Sequence, residues 1–332
     1  MESFQETELC FPQLLNSSCR RTVRPRSLSL LIYVALSFIS LLTVVLNLLV
    51  IISIYHFKKL HTPTNVLLLS LAVSDFLVGF IMFFQVLLID GCWYLGDLAC
   101  SLYFLLDYVI TSSSVGTVVL ISIDRYVAIC DPLRYPAKVT RGRAKLLGSL
   151  CWVGSALCHG LMLRGNVQNP GRVSSCAGEC AVVIDHAAGI ANFFLTFVGP
   201  VAVIVVLYVR VFAVAASQAR AVRSRVAAAA AAAARGSVKV TVNKSEMKAA
   251  RTLGVVVVVF LLCLCPYYCV TLSADDAVVS ASSAAFVICL YYLNSCINPL
   301  IYAFFYPWFR KCTKMIVTLQ ILSPGSSEAN VL

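Results

Sequence analysis

Charged residues are scarce in this chain. Asp, Glu, Lys and Arg together make up 12% of its 332 residues, whereas about a quarter of residues are charged in soluble globular proteins. Apolar residues make up 60% of the chain, and the mean hydropathy is +0.88. This balance excludes a soluble globular protein and indicates a chain whose solvent is mostly lipid.

Histidine is also scarce, and its distribution disfavours catalysis. The four histidines are scattered, and none has a nucleophile beside it for which it would serve as a base. The net charge of +11 does not indicate a nucleic-acid partner, because the basic residues lie in short segments between apolar stretches, a pattern that orients membrane proteins. We therefore expect neither an enzyme nor nucleic-acid binding, and no cofactor.

Seven apolar stretches are long enough to cross roughly 30 Å of hydrocarbon as α-helices. The predicted fold is therefore all-α, a seven-transmembrane helix bundle. The predicted spans are residues 28–57, 65–89, 99–129, 146–163, 187–212, 253–272 and 284–305, of which the fourth is the weakest by length. We expect an N-terminal tail over residues 1–27, the transmembrane domain over 28–305, and an amphipathic helix with a tail over 306–332. The halves show no internal repeat of the kind found in secondary transporters.

The distribution of basic residues between the spans predicts the orientation. Lysines and arginines follow spans one, three, five and seven, whereas the alternate segments hold only Arg164 and Arg172. The positive-inside rule then puts the N-terminus outside the cell and the C-terminus in the cytoplasm, although four arginines between residues 20 and 26 oppose it. Asn16 begins a glycosylation sequon in the outer tail.

Asp107 is a carboxylate near the outer third of span three. It is either paired with a neighbouring polar group for packing or a functional site, since ionisable groups within a bilayer are costly. Tyr267, Tyr268 and Tyr292 are expected at a similar depth. A carboxylate facing aromatic rings attracts an ammonium ion by Coulomb and cation–π forces, so we expect a small cationic amine as ligand.

One face of span three connects this level to the cytoplasmic edge. Thr111 lies one turn below Asp107, Ser114 two turns below, and Arg125 five turns below. At about 1.5 Å per residue, roughly 27 Å separates Asp107 from Arg125.

A second carboxylate, Asp75, is expected at mid-membrane in span two. Its possible neighbours are Ser114, Asn294, Ser295 and Asn298. The group is either an interhelical hydrogen-bond cluster or a site for Na⁺, which prefers oxygen ligands, and the sequence leaves both interpretations open.

The cytoplasmic end of span three has the sequence Asp124-Arg125-Tyr126. A basic residue there often only snorkels to the interface. Glu246 near the start of span six offers a partner for Arg125, and such a pair would be a latch between two states. Kinks are expected in spans five, six and seven, at Pro200, Pro266 and Pro299.

Each span also contains a residue or short motif that is characteristic of a known family. These positions are Asn47, Asp75, Asp124-Arg125-Tyr126, Trp152, Pro200 with Tyr208, Pro266, and Asn298-Pro299-Leu300-Ile301-Tyr302. The set resembles the pattern of rhodopsin-like class A G-protein-coupled receptors, over nearly the whole chain. Further motifs are similar to those of trace amine-associated receptors: Asn294-Ser295-Cys296-Ile297-Asn298-Pro299, Tyr306-Pro307-Trp308-Phe309 and Cys92-Trp93-Tyr94. Residues 260–269 and 319–322 are most similar to the fish-type olfactory branch.

The resemblance implies an olfactory receptor for amines that activates a stimulatory or olfactory-type heterotrimeric G protein and raises cyclic AMP. It would be a multi-pass protein of the plasma membrane, in contact with lipid, and its expected site includes olfactory cilia. Asp107 matches the amine-binding acid and Tyr292 its supporting tyrosine. The resemblance also implies disulfides between Cys100 and Cys180 and between Cys19 and Cys176. With the residues identified above, the predicted ligand site comprises Asp107, Thr111, Asn192, Thr196, Tyr267, Tyr268 and Tyr292. The predicted activation switch comprises Asp124, Arg125, Tyr126, Tyr208, Glu246, Pro266, Pro299 and Tyr302.

The chain departs from the family pattern in ways that bear on function. Leu264 stands where such receptors usually have Trp, which keeps a signal-impaired receptor among the alternatives. Asn192 stands where many fish-type relatives carry a second acid, which favours a monoamine over a diamine. Asp185, Asp275 and Asp276 in the outer loops leave polyamines open. A retinal photoreceptor is disfavoured, because span seven has no lysine.

After span seven, apolar and basic residues alternate in the pattern of a helix lying on the inner membrane surface. Cys312 in this segment is either palmitoylated or a free thiol.

Overall fold

The computed structural model describes residues 8–22, 25–232, 244–272 and 281–331. Regular structure in these residues is helical, apart from two isolated β-bridges that join Leu9 to Arg20 and Ser18 to Ala177. The all-α prediction is confirmed.

Each predicted span corresponds to a helix. The helices are α1 (Arg26–His56), α2 (Pro63–Leu88), α3 (Asp97–Cys130), α4 (Arg141–Met162), α5 (His186–Phe193, continued by a π-helical turn Phe194–Val198 and by Gly199–Ala232), α6 (Lys244–Leu272), α7 (Ala281–Phe305) and α8 (Pro307–Val317). The alanine run that follows residue 226 continues α5 as far as Ala232.

Four helices in the described residues are by themselves long and apolar enough to cross a membrane: Arg26–His56, Pro63–Val86, Asp97–Cys130 and His186–Val214. Helix α4, the span predicted as weakest, is not among them. Helix α6 contributes a shorter apolar stretch, Gly254–Cys269, and α7 passes only together with α8. The axes of α7 and α8 differ by 97°, so α8 turns away from the direction of α7.

The starts of the helices follow from local sequence. Thr62 accepts a hydrogen bond from the Asn65 amide at 3.2 Å, with proline next in the chain, and α2 begins there. Thr140 caps α4 in the same way through the Arg143 amide at 3.3 Å. Each hydroxyl satisfies an amide that has no partner within the helix.

Polar bonds between helices stabilise the bundle, because lipid tails are as apolar as the helix faces and burial alone gives little preference for association. Ser40 Oγ donates to the Gly79 carbonyl oxygen at 2.7 Å and joins α1 to α2. Gly79 also permits their close approach, since a Cβ there would lie 2.7 Å from Val44 Cγ2. Asn47 Nδ2 donates to the Ser295 carbonyl oxygen at 3.0 Å and joins α1 to α7.

Pro200 differs from the other two helix prolines in its backbone setting. Pro266 and Pro299 lie inside α6 and α7. Pro200 follows the π-helical turn, in which the Gly199 amide donates to the Phe194 carbonyl oxygen. A proline lacks an amide hydrogen and its ring crowds the carbonyl of the residue four positions earlier, so the wider turn accommodates Pro200 where the sequence predicts only a kink.

Helix α8 is amphipathic, with Trp308, Phe309 and Cys312 buried and packing in the same apolar cluster as Phe57 at the end of α1. Cys312 is 0% exposed, and burial raises the pKa of its thiol to about 11. A buried, protonated thiol is a poor acceptor for an acyl group. The structure therefore favours the free thiol over palmitoylation.

The last residues fold back on the connection between α1 and α2. Ser326 Oγ lies 3.0 Å from His56 Nε2, and Lys58 Nζ donates to Glu328 Oε1 at 2.6 Å. Val331 is buried in the same cluster as Phe57. These contacts keep the C-terminal segment beside the C-terminal end of α1.

Candidate functional site

Three disulfides hold the N-terminal tail and the loop between α4 and α5 over the outer ends of the helices. The two pairs implied by the resemblance are bonded: Cys100 to Cys180 and Cys19 to Cys176, with Cα–Cα distances of 5.5 and 5.0 Å. Cys10 and Cys92 form a third bond, with a Cα–Cα distance of 5.4 Å. This third bond was not predicted from the sequence, although Cys10 and Cys92 are the two cysteines left on the outer side of the spans when the other four are paired.

Polar contacts reinforce this cover. The Cys19 amide donates to the Ala177 carbonyl oxygen at 2.9 Å. Arg21 Nε donates to Asp90 Oδ2 at 2.9 Å, just beyond the end of α2. The hydrogen bond that Arg21 donates to Asp90 raises the pKa of the guanidinium above its ordinary value. Asn16, the predicted glycosylation site, is exposed in this tail.

Beneath the cover lies a cavity of about 440 Å³ between α3, α5, α6 and α7. Its lining includes six of the seven residues predicted for the ligand site, together with others that were not predicted from the sequence. The lining residues are Phe104, Asp107, Tyr108, Thr111, Ser112, Ile184, Asp185, His186, Gly189, Ile190, Asn192, Phe193, Thr196, Tyr267, Tyr268 and Tyr291. Of the predicted set, Asp107, Thr111, Asn192, Thr196, Tyr267 and Tyr268 line the cavity and Tyr292 does not.

Asp107 is the charged group at the inner wall of this cavity. Tyr292 Oη donates to Asp107 Oδ1 at 3.3 Å. None of the ion pairs found among the described residues includes Asp107. The carboxylate is therefore oriented by a neutral hydrogen bond and is available to a cation.

Aromatic rings form another part of the cavity wall. The ring centroids of Tyr267 and Tyr291 are 4.8 Å apart, and those of Tyr267 and Tyr268 are 5.4 Å apart. Tyr292, the next residue in α7, is 5% exposed. Adjacent residues on a helix point about 100° apart, so Tyr291 lines the cavity, whereas the predicted ligand residue Tyr292 contacts Asp107 without lining it.

The wall formed by α5 is polar. Thr196 Oγ1 donates to the Asn192 carbonyl oxygen at 2.7 Å and lies 3.1 Å from Tyr268 Oη. Asp185 accepts from the amides of Ala187 and Ala188 at 3.1 and 3.4 Å, so it caps the start of α5. Its carboxylate therefore has a structural role in addition to lining the cavity.

Asp75 lies deeper in the bundle and is fully buried. Ser295 Oγ and Asn298 Nδ2 each donate to it at 2.8 Å. Beside these residues is a space of about 20 Å³ lined by Ser114, Asn294 and Ser295, among others. That is enough for one water or a small ion, since a water needs about 10–15 Å³ of such space.

Two of the four predicted neighbours of Asp75, Ser295 and Asn298, donate hydrogen bonds to its carboxylate. Among the described residues, no hydrogen bond joins Asn294 to Asp75, although Asn294 lines the adjoining space. The Oδ1 atoms of Asn294 and Asn298 are buried without a protein partner in the described part of the chain. Unpaired carbonyl oxygens near a carboxylate fit a hard cation such as Na⁺.

At the C-terminal end of α3, Arg125 pairs with its neighbour Asp124, with Nε donating to Oδ2 at 2.9 Å. Thr64 Oγ1 and Tyr135 Oη also donate to Asp124, at 2.9 and 2.8 Å. The side chain of Glu246 lies outside the described residues, so the Arg125–Glu246 pair stays a prediction.

Other members of the predicted switch surround this end. Tyr208 and Tyr302 are buried, and neither hydroxyl has a hydrogen-bond partner in the described residues. Tyr126 packs against Ile129 and Val211. Two hydroxyls buried without partners are costly, which is consistent with a region that has a second arrangement.

The succession of an outer cavity, a polar middle and an inner ion pair along one bundle agrees with comparison to known proteins. Residues 46–302 match the profile of the 7 transmembrane receptor (rhodopsin family). Trace amine-associated receptor 8a of Rattus norvegicus is 39% identical over 335 residues, which cover 98% of this chain and 96% of the relative. The chain belongs to the trace amine-associated receptor family.

Two further relatives of this receptor are similar over nearly their full length. Trace amine-associated receptor 13c of Danio rerio is 35% identical over 339 residues, covering 99% of this chain and 98% of the relative. Trace amine-associated receptor 6 of Pan troglodytes is 37% identical over 335 residues, covering 98% and 95%. Because the rat relative has a higher identity than the zebrafish one, membership in the fish-type branch stays a prediction.

The family determines the general nature of the receptor. It is a multi-pass plasma-membrane protein with seven transmembrane helices and is not an enzyme. Its partners are a small ligand and a G protein. Leu264, which replaces the usual Trp, is 3% exposed and lines the small space beside Asn294.

Proposed function

We propose that this receptor binds small protonated amines at Asp107, acts in olfaction, and signals through a stimulatory G protein to raise cyclic AMP. The observation that carries the proposal is a carboxylate without an ion-pair partner in the described residues, at the wall of a cavity lined by aromatic rings. A protonated amine supplies the missing positive charge.

The energetics favour a cation over a neutral ligand of the same size. A charge-assisted hydrogen bond contributes about 1.5–3 kcal/mol, and a cation over an aromatic ring contributes roughly 0.5–2 kcal/mol, more where water is excluded. Tyr267 and Tyr291 line the same cavity as Asp107. Together these terms give selectivity for ammonium groups without covalent chemistry.

A monoamine fits this site better than a diamine. Asn192 lines the α5 wall with a neutral amide, where a second acid would be needed to pair with a second ammonium group. Polyamines are the alternative ligand class, because Asp185 also lines the cavity, but its carboxylate already caps α5. Asp275 and Asp276 lie outside the described residues.

The proposed signal passes along α3 and the proline-containing helices. Binding at Asp107 shifts α5, α6 and α7 about Pro200, Pro266 and Pro299, and Arg125 is then released at the cytoplasmic end. In this proposal, the pair between Arg125 and Glu246 also breaks when Arg125 is released. We also propose an extracellular N-terminus with glycosylation at Asn16, Na⁺ binding at Asp75, and a location that includes olfactory cilia.

Amine screening tests the proposal. Cells that express the receptor are exposed to volatile monoamines and to polyamines, and cyclic AMP is measured in parallel with Asp107→Ala. Removal of one partner from a charged, desolvated pair costs about 2–5 kcal/mol, so we expect potency to fall at least about thirtyfold, with unchanged surface expression.

Asp185→Asn is the matched control, because it neutralises a second carboxylate of the same cavity. We expect it to change monoamine potency much less than Asp107→Ala. If amines activate Asp107→Ala at unchanged potency, the assignment of Asp107 is wrong. If Asp185→Asn selectively abolishes polyamine responses, the polyamine alternative replaces the monoamine proposal.

A further inference from the structure

A second cavity adjoins the one that contains Asp107. It has a volume of about 610 Å³ and lies between α3, α4 and α5. Asn192 and Thr196 line both cavities, and His159 lines the second. The contact between His159 and Asn192 therefore forms part of the wall that separates the two spaces.

His159 is held on several sides. Its side chain is 4% exposed. Nδ1 lies 2.8 Å from the Ser155 carbonyl oxygen. Nε2 lies 3.0 Å from the side-chain carboxamide of Asn192, at the position assigned to Oδ1. The imidazole stacks on Tyr108, with ring centroids 5.6 Å apart and an interplanar angle of 19°. Tyr108 lines the cavity beside Asp107.

The partners of the two ring nitrogens restrict the hydrogen positions. A backbone carbonyl oxygen only accepts, so Nδ1 carries the hydrogen that bonds to Ser155. In a neutral imidazole Nε2 then has a lone pair and accepts. The group opposite must donate, and in Asn192 the donor is Nδ2. The two ends of a carboxamide have nearly the same shape, so the hydrogen-bond network decides which end faces the ring.

The alternative is a charged imidazolium that donates from both nitrogens and faces Oδ1. A buried charge is costly unless it is paired. No ion pair in the described part of the chain includes His159. The neutral ring is therefore favoured.

We propose that His159 is a positioning residue of the amine site: it holds the Nδ2 end of Asn192 and so turns the Oδ1 carbonyl toward the cavity. The site then has a charged acceptor at Asp107 and a neutral acceptor at Asn192. The preferred ligands are amines with a second hydrogen-bond donor, such as amino alcohols. This inference rests on the proposed amine function and specifies the class of amine.

Matched ligand pairs test the inference. Each pair consists of a primary alkylamine and the amino alcohol in which a hydroxyl replaces the terminal methyl, for example pentylamine and 4-aminobutan-1-ol, in a series of chain lengths. The readout is the ratio of their potencies in the cyclic AMP assay. We expect some pair to show a ratio in favour of the amino alcohol.

His159→Phe keeps a ring to stack on Tyr108 but removes both nitrogens, so the Asn192 amide is no longer oriented. One hydrogen bond is worth about 0.5–1.5 kcal/mol, so we expect the ratio to fall roughly two- to tenfold. A purely structural defect would lower both potencies equally and leave the ratio unchanged. His159→Gln, which retains a donor and an acceptor, is expected to restore part of the ratio.

Two further variants sharpen the test. Ser155→Ala is the matched control, because it removes the Oγ bond to Ser112 but keeps the backbone carbonyl that His159 uses. We expect it to leave the ratio unchanged. Asn192→Ala should lower the potency ratio as much as His159→Phe does. In the double variant His159→Phe, Asn192→Ala, the ratio should be no lower than in either single variant.

The outcomes separate this inference from the proposed function. If amines activate through Asp107 but His159→Phe does not alter the ratio, His159 has no positioning role and the amine function stands. A preference for ligands with a second acceptor over those with a second donor also overturns the inference. If no amine activates the unaltered receptor, both proposals fail.

Discussion

The hydroxyl of Tyr292 donates a hydrogen bond to Asp107 across 3.3 Å and thereby joins α7 to α3 at the inner wall of the ligand cavity. Tyr292→Phe removes that bond and keeps the ring. We expect amine potency to fall about two- to tenfold, because one net hydrogen bond contributes roughly 0.5–1.5 kcal/mol. Cyclic AMP dose–response curves measure the change, and an increase in potency would show that the hydroxyl competes with the ligand for Asp107.

Tyr291, the neighbouring residue, should act through its ring instead of its hydroxyl. Its ring lines the cavity and lies against Tyr267. We expect Tyr291→Leu to lower amine potency about two- to thirtyfold through loss of a cation–π contact worth roughly 0.5–2 kcal/mol. Tyr291→Phe is the control and should lose much less. Equal losses in the two variants would contradict a role for the ring.

The disulfide between Cys10 and Cys92 closes a segment of 82 residues. Loss of a disulfide from a small secreted domain costs about 2–5 kcal/mol, since the bond restricts the unfolded chain. We expect the double variant Cys10→Ser, Cys92→Ser to melt at a lower temperature in detergent. Cys158→Ser is the control, because Cys158 is an exposed free cysteine. An unchanged melting temperature in the double variant would mean that the tail is held by the other contacts alone.

Asp75 offers a test of the sodium proposal. If Na⁺ binds beside Asp75 and prefers the arrangement without amine, replacement of K⁺ by Na⁺ at constant ionic strength should lower amine potency in the unaltered receptor. We expect Asp75→Asn to abolish this difference, since the amide carries no charge. Radioligand displacement in membranes with each salt measures it. A sodium effect that persists in Asp75→Asn would assign the ion to another place.

The ion pair between Arg125 and Asp124 predicts the behaviour of the receptor without ligand. Asp124 also accepts hydrogen bonds from Thr64 and Tyr135. Asp124→Asn removes the charge that pairs with Arg125. We expect basal cyclic AMP to rise about two- to tenfold, because a change of roughly 0.5–1.5 kcal/mol in the free-energy difference between the inactive and active states changes their ratio by that factor. Tyr135→Phe should raise it less. Basal signalling below that of the unaltered receptor would contradict a restraining role.

The positions of the transmembrane helices could be predicted because each is a local property of the chain. A helix that crosses a bilayer satisfies its own backbone hydrogen bonds and needs about 20 apolar residues in succession. The importance of Asp107 was also predictable, since a carboxylate in such a stretch is costly wherever the bundle places it.

The partners of those residues could not be predicted, because they depend on helix rotation and on contacts between distant segments. Tyr291 and Tyr292 are adjacent in the chain, and only the rotation of α7 decides which one faces the cavity. The π-helical turn before Pro200 shifts the register of α5, which places Asn192 against His159.

The sequence by itself thus determined the class of fold, the number of spans, the charged group of the ligand site and the family. Tertiary structure alone decided which rings surround Asp107, that Cys10 pairs with Cys92, and that Arg125 is held by Asp124 on its own helix. The physical reason is that hydropathy and helix formation act over a single turn or span, whereas pairing between helices depends on distances of a few ångströms that only the packed bundle defines.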